Sequence, residues 1–156
     1  MIIAPTLLLS LLLSASAADD PAEEAAPPPC YDVAVRAKLI DQVPSIMPEC
    51  DDCIIMSWPW FLDLKVAKVL EGRLDAKTIT ALNVQHTYLQ SRYGVWRLRR
   101  NAAGGFNVVR TGASGELPLK CTPAMAPPKP YIRSKDKTLD DLRNEGLGYY
   151  GHFPKQ

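Results

Sequence analysis

The sequence predicts an all-β fold: a small barrel of five strands, followed by a Pro-rich C-terminal extension with one short helix. Two observations carry this prediction. Apolar residues alternate with polar residues in five short runs between Tyr31 and Arg110, and turn-forming Gly or Pro residues lie in several of the connections. Such alternation is typical of half-buried strands, because successive side chains of a strand point to opposite faces. With 156 residues, the chain has the length of one domain.

The predicted strands are residues 31–43, 61–70, 78–84, 95–100 and 106–110. The second run loses its phase at Val69 and Leu70, which predicts a β-bulge. In the fourth run Trp96 and Leu98 are expected to face inward, and Arg97 and Arg99 outward. The loop at 101–105 contains two glycines and joins the fourth and fifth strands as a hairpin.

The segment after the fifth strand is irregular, because five prolines between positions 118 and 130 exclude a helix or an interior strand there. Thr138 and Asp141 have the spacing of a capping box, so a short helix is predicted to begin there and to end at Gly146. The chain therefore divides into a leader (1–18), a spacer (19–29), a barrel domain (30–121) and an extension (122–156).

The first 18 residues have the pattern of a cleaved signal peptide. An apolar stretch over 2–13 precedes the small residues Ala15, Ser16 and Ala17, which fit the narrow pocket of signal peptidase. The stretch is shorter than the roughly 20 apolar residues that span a bilayer, and no later segment is long and apolar enough to be a transmembrane helix. We therefore expect export, to a periplasm or out of the cell, and no transmembrane segment after removal of the leader.

The spacer is acidic and then Pro-rich, which predicts a solvated, extended segment. It holds four of the 17 acidic residues, so the chain from Cys30 onward carries 18 basic and 13 acidic residues, a net side-chain charge of about +5. This mild basicity permits an anionic partner without requiring one.

Four cysteines in a small exported domain predict two disulfides: Cys30, Cys50, Cys53 and Cys121. Three pairings are possible. If residues 31–42 form one strand, Cys30 lies roughly 35–40 Å from the loop that holds Cys50 and Cys53. A disulfide needs Cα atoms within about 7 Å. The sequence thus favours Cys30 with Cys121 and Cys50 with Cys53.

The C-x-x-C segment at 50–53 has alternative chemical interpretations. Two such cysteines can form a redox centre or half a zinc site. Glu49, Asp51 and Asp52 would raise the thiol pKa, however, and no second pair of zinc ligands has suitable spacing. The three carboxylates lack the spacing of a known Ca²⁺ loop. A structural disulfide is the favoured interpretation, and no metal or cofactor is expected.

Aromatic and basic residues supply the candidate binding surface. Trp58, Trp60 and Phe61 form either a stacking or protein-contact patch or part of the barrel core. We expect that only one of Trp58 and Trp60 faces inward, which would leave the other exposed. The aromatic residues near the C terminus, Tyr149, Tyr150 and Phe153, either bind another protein or pack on their own barrel.

Arginines on the last two strands would form one basic face: Arg97, Arg99, Arg100 and Arg110. The alternative is a solvated outer surface without a ligand. Because export makes nucleic acid an unsuitable partner, we expect an anionic envelope component or another exported protein instead.

Residues 61–72 end in Val66, Val69 and Gly72, a V-x-x-V-x-x-G pattern that resembles the second strand of exported netrin-like and metalloprotease-inhibitor-type domains. Residues 93–98 resemble the fourth strand of those domains. The resemblance spans roughly residues 31–110 and implies an OB fold. The inhibitors begin with a free amino-terminal cysteine that chelates the protease metal, whereas Cys30 follows a spacer. The resemblance therefore supports the fold and not an inhibitory activity.

No catalytic pattern is present in the sequence. Ser114 lies between small residues, but position 116 is Glu where a nucleophile elbow needs Gly, and neither His86 nor His152 has a spaced partner. The leading hypothesis is an exported, non-enzymatic binding or protein-interaction module. The alternatives are a thiol-active or metal-handling protein that uses Cys50 and Cys53, and a structural envelope component.

Overall fold

The computed structural model describes residues 29–47, 49–90, 93–111, 115–132 and 136–153. The predicted leader, the spacer up to residue 28 and Ser114 lie outside the described residues. Within them the chain forms seven strands and one helix: β1 (Cys30–Tyr31), β2 (Val33–Pro44), β3 (Trp58–Glu71), β4 (Thr78–Gln85), β5 (Tyr93–Arg100), β6 (Phe106–Val108), β7 (Leu119–Lys120) and α1 (Leu139–Tyr150).

Five of these strands close into a barrel in the order β2-β3-β4-β6-β5, with β5 pairing back onto β2. All neighbours are antiparallel except β4 and β6, which run parallel. The predicted small all-β barrel of five strands with one short helix is therefore confirmed. The remaining strands, β1 and β7, form a separate parallel pair.

The barrel core consists of the inward-facing apolar residues that the alternation predicts. On β2 these are Val33, Val35, Ala37 and Leu39, all nearly inaccessible to solvent. They pack against Leu62, Leu64 and Leu98 from β3 and β5. Burying each Val or Leu side chain stabilises the fold by about 1.5–3 kcal/mol, so this interior is the main source of stability.

The pairing of β2 with β3 is irregular at three points, between Ala34 and Val35, between Arg36 and Ala37, and between Leu39 and Asp41. One irregularity leaves Leu70 without a partner, close to the predicted bulge. After each irregularity the pairing resumes with the same side chains inward. As a result, charged residues of both strands stay on the outer face.

Helix α1 begins as predicted but ends later. Thr138 caps it, accepting a hydrogen bond from the Asp141 backbone N–H, while the Asp141 carboxylate accepts one from the Thr138 backbone N–H. The prediction that Gly146 ends the helix is wrong. The helix continues to Tyr150 and Gly151 caps it with φ of 77°. Gly146 is instead a buried interior position, where the helix backbone approaches β2.

The outer face of the barrel that α1 covers has a small apolar cluster of its own. Val43, Phe61 and Leu82 are buried there against Leu142 and Leu147 of the helix. An ion-pair cluster lies beside it, in which Arg143 contacts the carboxylates of Asp41, at 3.0 Å, and Asp63. The Pro-rich segment also packs on the barrel, with the Tyr131 hydroxyl donating to the Val108 carbonyl at 3.0 Å.

Two disulfides join the pairs that the sequence favours. Cys30 bonds to Cys121, with an S–S distance of 2.03 Å, and Cys50 bonds to Cys53, at 2.04 Å. The first one fastens β1 beside β7, where the Cys121 N–H also donates to the Tyr31 carbonyl. Two disulfides indicate an oxidising compartment. Within the described residues, no helix is both long and apolar enough to cross a bilayer.

Candidate functional site

The aromatic residues at the start of β3 belong to the barrel's packing and not to an exposed patch. Trp60 is 3 % exposed and Phe61 is 1 % exposed. Trp58 is half-buried against the same core as Trp60, with the ring centroids 5.6 Å apart. The expectation that only one tryptophan faces inward is wrong, because residues two apart on a strand point to the same face.

The C-terminal aromatic residues differ in their environment: one packs on the barrel of its own chain, and one is exposed to a partner. Phe153 packs edge-on against Trp60, with centroids 5.6 Å apart, and its backbone N–H donates to the Gln42 carbonyl. Tyr150 is half-buried and contacts the Tyr149 ring. Tyr149 itself is 72 % exposed. Only Tyr149 among the three is therefore freely accessible to a partner.

The single basic face expected on β5 and β6 does not form, because Arg99 is only 7 % exposed. Its side chain faces away from the core, as predicted, but residues 125–126 lie over it. It donates to the Asp32 carboxylate at 2.9 Å and to the carbonyls of Met125 and Ala126. Arg99 thus fastens the Pro-rich segment to the barrel.

The other three arginines of that group each make a different contact. Arg97 lies half-buried with its guanidinium 5.7 Å from the centroid of the Tyr31 ring. Arg100 lies over Phe106. Arg110 is exposed and donates from Nε to the Asn83 side-chain oxygen at 3.2 Å.

A different set of exposed cations lies side by side on two neighbouring strands, and we call it the cationic face: Arg36 and Lys38 of β2 with Lys65 and Lys68 of β3. The register places Lys38 opposite Lys65, and Arg36 opposite Lys68. On the other side of β2, Tyr93 and Val95 of β5 stand opposite Lys38 and Arg36. The four cations and these two apolar residues are all exposed.

The register of the cationic face places like charges opposite each other on neighbouring strands. Side chains directly opposite in an antiparallel pair have Cβ atoms about 4.5–5.5 Å apart, and like charges at this distance are destabilising. Within the described part of the chain, none of the four side chains makes an ion pair or a hydrogen bond. Two successive like-charge pairs therefore remain without compensation.

The carboxylates of β2 and β3 are engaged with other residues. Asp41 and Asp63 hold Arg143, and Glu71 accepts a hydrogen bond from the Tyr31 hydroxyl at 2.9 Å. Burial of Tyr31, together with this hydrogen bond to Glu71, raises the pKa of its hydroxyl. The hydroxyl therefore stays protonated at neutral pH and continues to donate to Glu71.

The Cys50–Cys53 disulfide lies in the loop between β2 and β3, with both cysteines exposed beside Glu49, Asp51 and Asp52. Ile54 follows the disulfide and is 87 % exposed. The described residues contain no group of three or more His, Cys, Asp or Glu side chains arranged to hold a metal ion. The disulfide itself is accessible to reductants.

A cluster of titratable groups joins α1 to the barrel. Arg143 lies between Asp41 and Asp63, Thr80 donates to Asp63 at 2.7 Å, and His152 contacts Asp41 at 2.7 Å. Every carboxylate here is paired with a cation or a donor, so the cluster contributes to the docking of the helix together with the apolar contacts.

The outward orientation of most residues of the cationic face could be predicted from the sequence. Alternation places Arg36 and Lys38 on the outward side of the first strand, and Lys65 on that of the second. It does not show which residues of neighbouring strands stand opposite one another. In comparisons with known proteins, no family model matches the chain, and neither a curated protein nor a solved structure gives a significant match.

Proposed function

We propose that this protein is an exported, non-enzymatic binding module that engages an anionic partner through the cationic face. The partner is an anionic component of the cell envelope or an acidic exported protein. The observation that carries the proposal is the pair of like-charge register positions, Lys38 opposite Lys65 and Arg36 opposite Lys68, which have no carboxylate as a strand partner among the described residues. An arrangement that destabilises the free protein gains stability when an anion binds.

Export is supported by the signal-peptide pattern of residues 1–18 and by the two disulfides. The proposed relation to exported OB-fold domains is supported by the closed barrel of five strands. OB-fold barrels bind ligands on a strand face. The fold alone does not identify the ligand.

The chemistry of the cationic face suits a polymer or a surface with repeated negative charges. Neighbouring strands lie about 4.8 Å apart, and alternate residues of one strand about 6.8 Å apart, so several anionic groups can be contacted at once. Tyr93 and Val95 add apolar contact at one border of the face. Because the four cations are exposed, binding should weaken steeply as salt is added.

The test is retention of the purified, disulfide-bonded protein on an immobilised sulfated polysaccharide, measured as the salt concentration that elutes it. The double variant Lys38→Glu/Lys65→Glu should elute at much lower salt than the native protein. The matched control is Lys120→Glu/Lys129→Glu, which changes the net charge equally at exposed positions outside the face. Equal elution of the two double variants would contradict the proposal, because net charge alone would then account for retention.

A second candidate function, a thiol-active protein, is favoured by the exposure of both Cys50 and Cys53. It requires that a dithiol partner reduce this disulfide selectively. Mild reduction followed by alkylation and peptide mass spectrometry tests it, with Cys30 and Cys121 as the internal control. If the two disulfides react at equal rates, this alternative loses its support.

A further inference from the structure

Strands β4 and β6 diverge beyond a short stretch of pairing that closes the barrel. The two strands pair only at Ala81 with Phe106 and at Leu82 with Asn107. Strand β4 continues to Gln85, whereas β6 ends at Val108. A cleft of about 540 Å³ lies beyond the last pair. We call it the β4–β6 cleft, and its volume is within the usual range of small-molecule sites.

One part of the cleft wall is apolar and fixed in place. Leu89, Trp96 and Val108 line it, and all three pack against the barrel core. The Trp96 indole N–H donates to the Ala37 carbonyl at 3.2 Å. The ring orientation is therefore set by both packing and a hydrogen bond, and the ring needs no polar partner from a ligand.

The polar part of the wall is cationic. Arg97 and Arg110 both line the cleft, and its described lining residues include no Asp or Glu. The Asn83 side-chain oxygen accepts from Nε of Arg110, which holds the guanidinium at the cleft. The two terminal nitrogens of Arg110 make no hydrogen bond or ion pair within the described residues. A positioned guanidinium with free N–H groups beside an apolar wall has the features of a receptor for an amphiphilic anion.

We propose that the β4–β6 cleft binds a carboxylate carried on an apolar body, such as the C-terminal residue of a peptide. A guanidinium presents a planar fork of N–H donors that matches the two oxygens of a carboxylate. The apolar body would lie on Trp96 and Leu89. This ligand class differs from the repeated charges proposed for the cationic face, and among the described residues the two sites share Val95 alone, at their border.

Two probes that differ only in charge test the proposal: N-acetylphenylalanine and N-acetylphenylalanine amide. Each is titrated into the ¹⁵N-labelled protein, and the Trp96 indole N–H signal is followed by NMR. We expect the acid to shift this signal and to bind at least about tenfold more tightly than the amide. Arg110→Gln should remove this preference, and Arg110→Lys should retain part of it, because the charge remains without the fork.

Arg100→Gln is the matched control, since Arg100 is an exposed arginine over Phe106 that does not line the cleft. Arg100→Gln should leave the affinities for the acid and for the amide unchanged. Lys38→Glu/Lys65→Glu should also leave them unchanged, because those lysines belong to the cationic face. A failure of the cleft proposal can therefore be told apart from a failure of the proposal for the cationic face. Equal binding of acid and amide, or an acid affinity unchanged in Arg110→Gln, would overturn the proposal. A third probe, 3-phenylpropanoate, has the ring and the carboxylate but no acetylated amide. Binding as tight as that of N-acetylphenylalanine would indicate that the site takes a free organic acid. Weaker binding would indicate that it takes the C terminus of a peptide.

Discussion

Gly146 of α1 lies against Pro44 of β2, so close that a Cβ atom at position 146 would stand 2.1 Å from the Pro44 carbonyl oxygen. The helix backbone therefore touches the strand backbone directly. This contact lies near the ion pair of Arg143 with Asp41, which joins the same two elements. The position of α1 on the barrel thus depends on the absence of a side chain at position 146 as well as on the ion pair of Arg143 with Asp41.

Gly146→Ala should lower the free energy of unfolding by about 2 kcal/mol or displace α1 from the barrel, because overpacking of this kind costs about 1–3 kcal/mol. Gly148→Ala is the matched control, since nothing lies within 4 Å of its added Cβ. Alanine is the better helix former by up to about 1 kcal/mol, so the control should be slightly stabilised. Urea unfolding measures both, and variants of equal stability would refute the importance of the contact.

The five barrel strands could be predicted because burial on one face imposes a period of two on the sequence. Val33, Val35 and Ala37 show this pattern clearly. The cationic face could not be predicted in the same way, because it depends on pairing register. The irregularities of the β2–β3 pairing determine that Lys68, and not Ala67, stands opposite Arg36, and alternation within one strand carries no such information.

Arg99 and Gly146 show two further limits of local patterns. Alternation correctly places Arg99 on the outward side of β5, but its burial depends on carbonyls 26 and 27 positions later in the chain. Glycine is typical of a helix C terminus, but Gly146 lies inside the helix. It is needed there because Pro44, far away in sequence, leaves no room for a side chain. Local sequence thus predicts direction and propensity, and long-range packing determines exposure.

The two disulfides should differ strongly in their effect on stability. Cys30 and Cys121 are 91 positions apart, and Cys50 and Cys53 only three. A cross-link that closes a long loop restricts the unfolded chain more, which predicts a stabilisation of about 4.6 kcal/mol for the first disulfide. Cys30→Ser/Cys121→Ser should therefore lower the free energy of unfolding far more than Cys50→Ser/Cys53→Ser. Comparable losses in urea unfolding would contradict this account.

Tyr31 should make stability fall at alkaline pH. Burial and the hydrogen bond to Glu71 raise its pKa above the ordinary value of 10.0, so the folded state retains the proton longer than the unfolded state does. The resulting stabilisation is complete below about pH 10 and is lost as the pH rises through the folded-state pKa. Tyr31→Phe should cost about 1 kcal/mol at neutral pH, for the lost hydrogen bond, and less at high pH.

The measurement is the urea midpoint of the native protein and of Tyr31→Phe, taken at several values above and below about pH 10. Burial also raises the pKa of Tyr131, so Tyr31→Phe should reduce the alkaline loss without abolishing it. Tyr93→Phe, at an exposed position, serves as the control and should follow the native curve. A stability difference between the native protein and Tyr31→Phe that is independent of pH would rule out this linkage.

Lys38→Glu should stabilise the free protein while weakening its binding to anions. The change replaces a like-charge pair with Lys65 by an opposite-charge pair, and such cross-strand pairs are worth about 0.2–1 kcal/mol. At about 1 M salt, where the Debye length is about 3 Å, most of the gain should disappear. Lys120→Glu makes the same change in net charge away from the cationic face, so it should give no comparable gain in low-salt urea unfolding. A Lys38→Glu protein that is less stable than the native one at low salt would show that the four cations do not repel one another as the register implies.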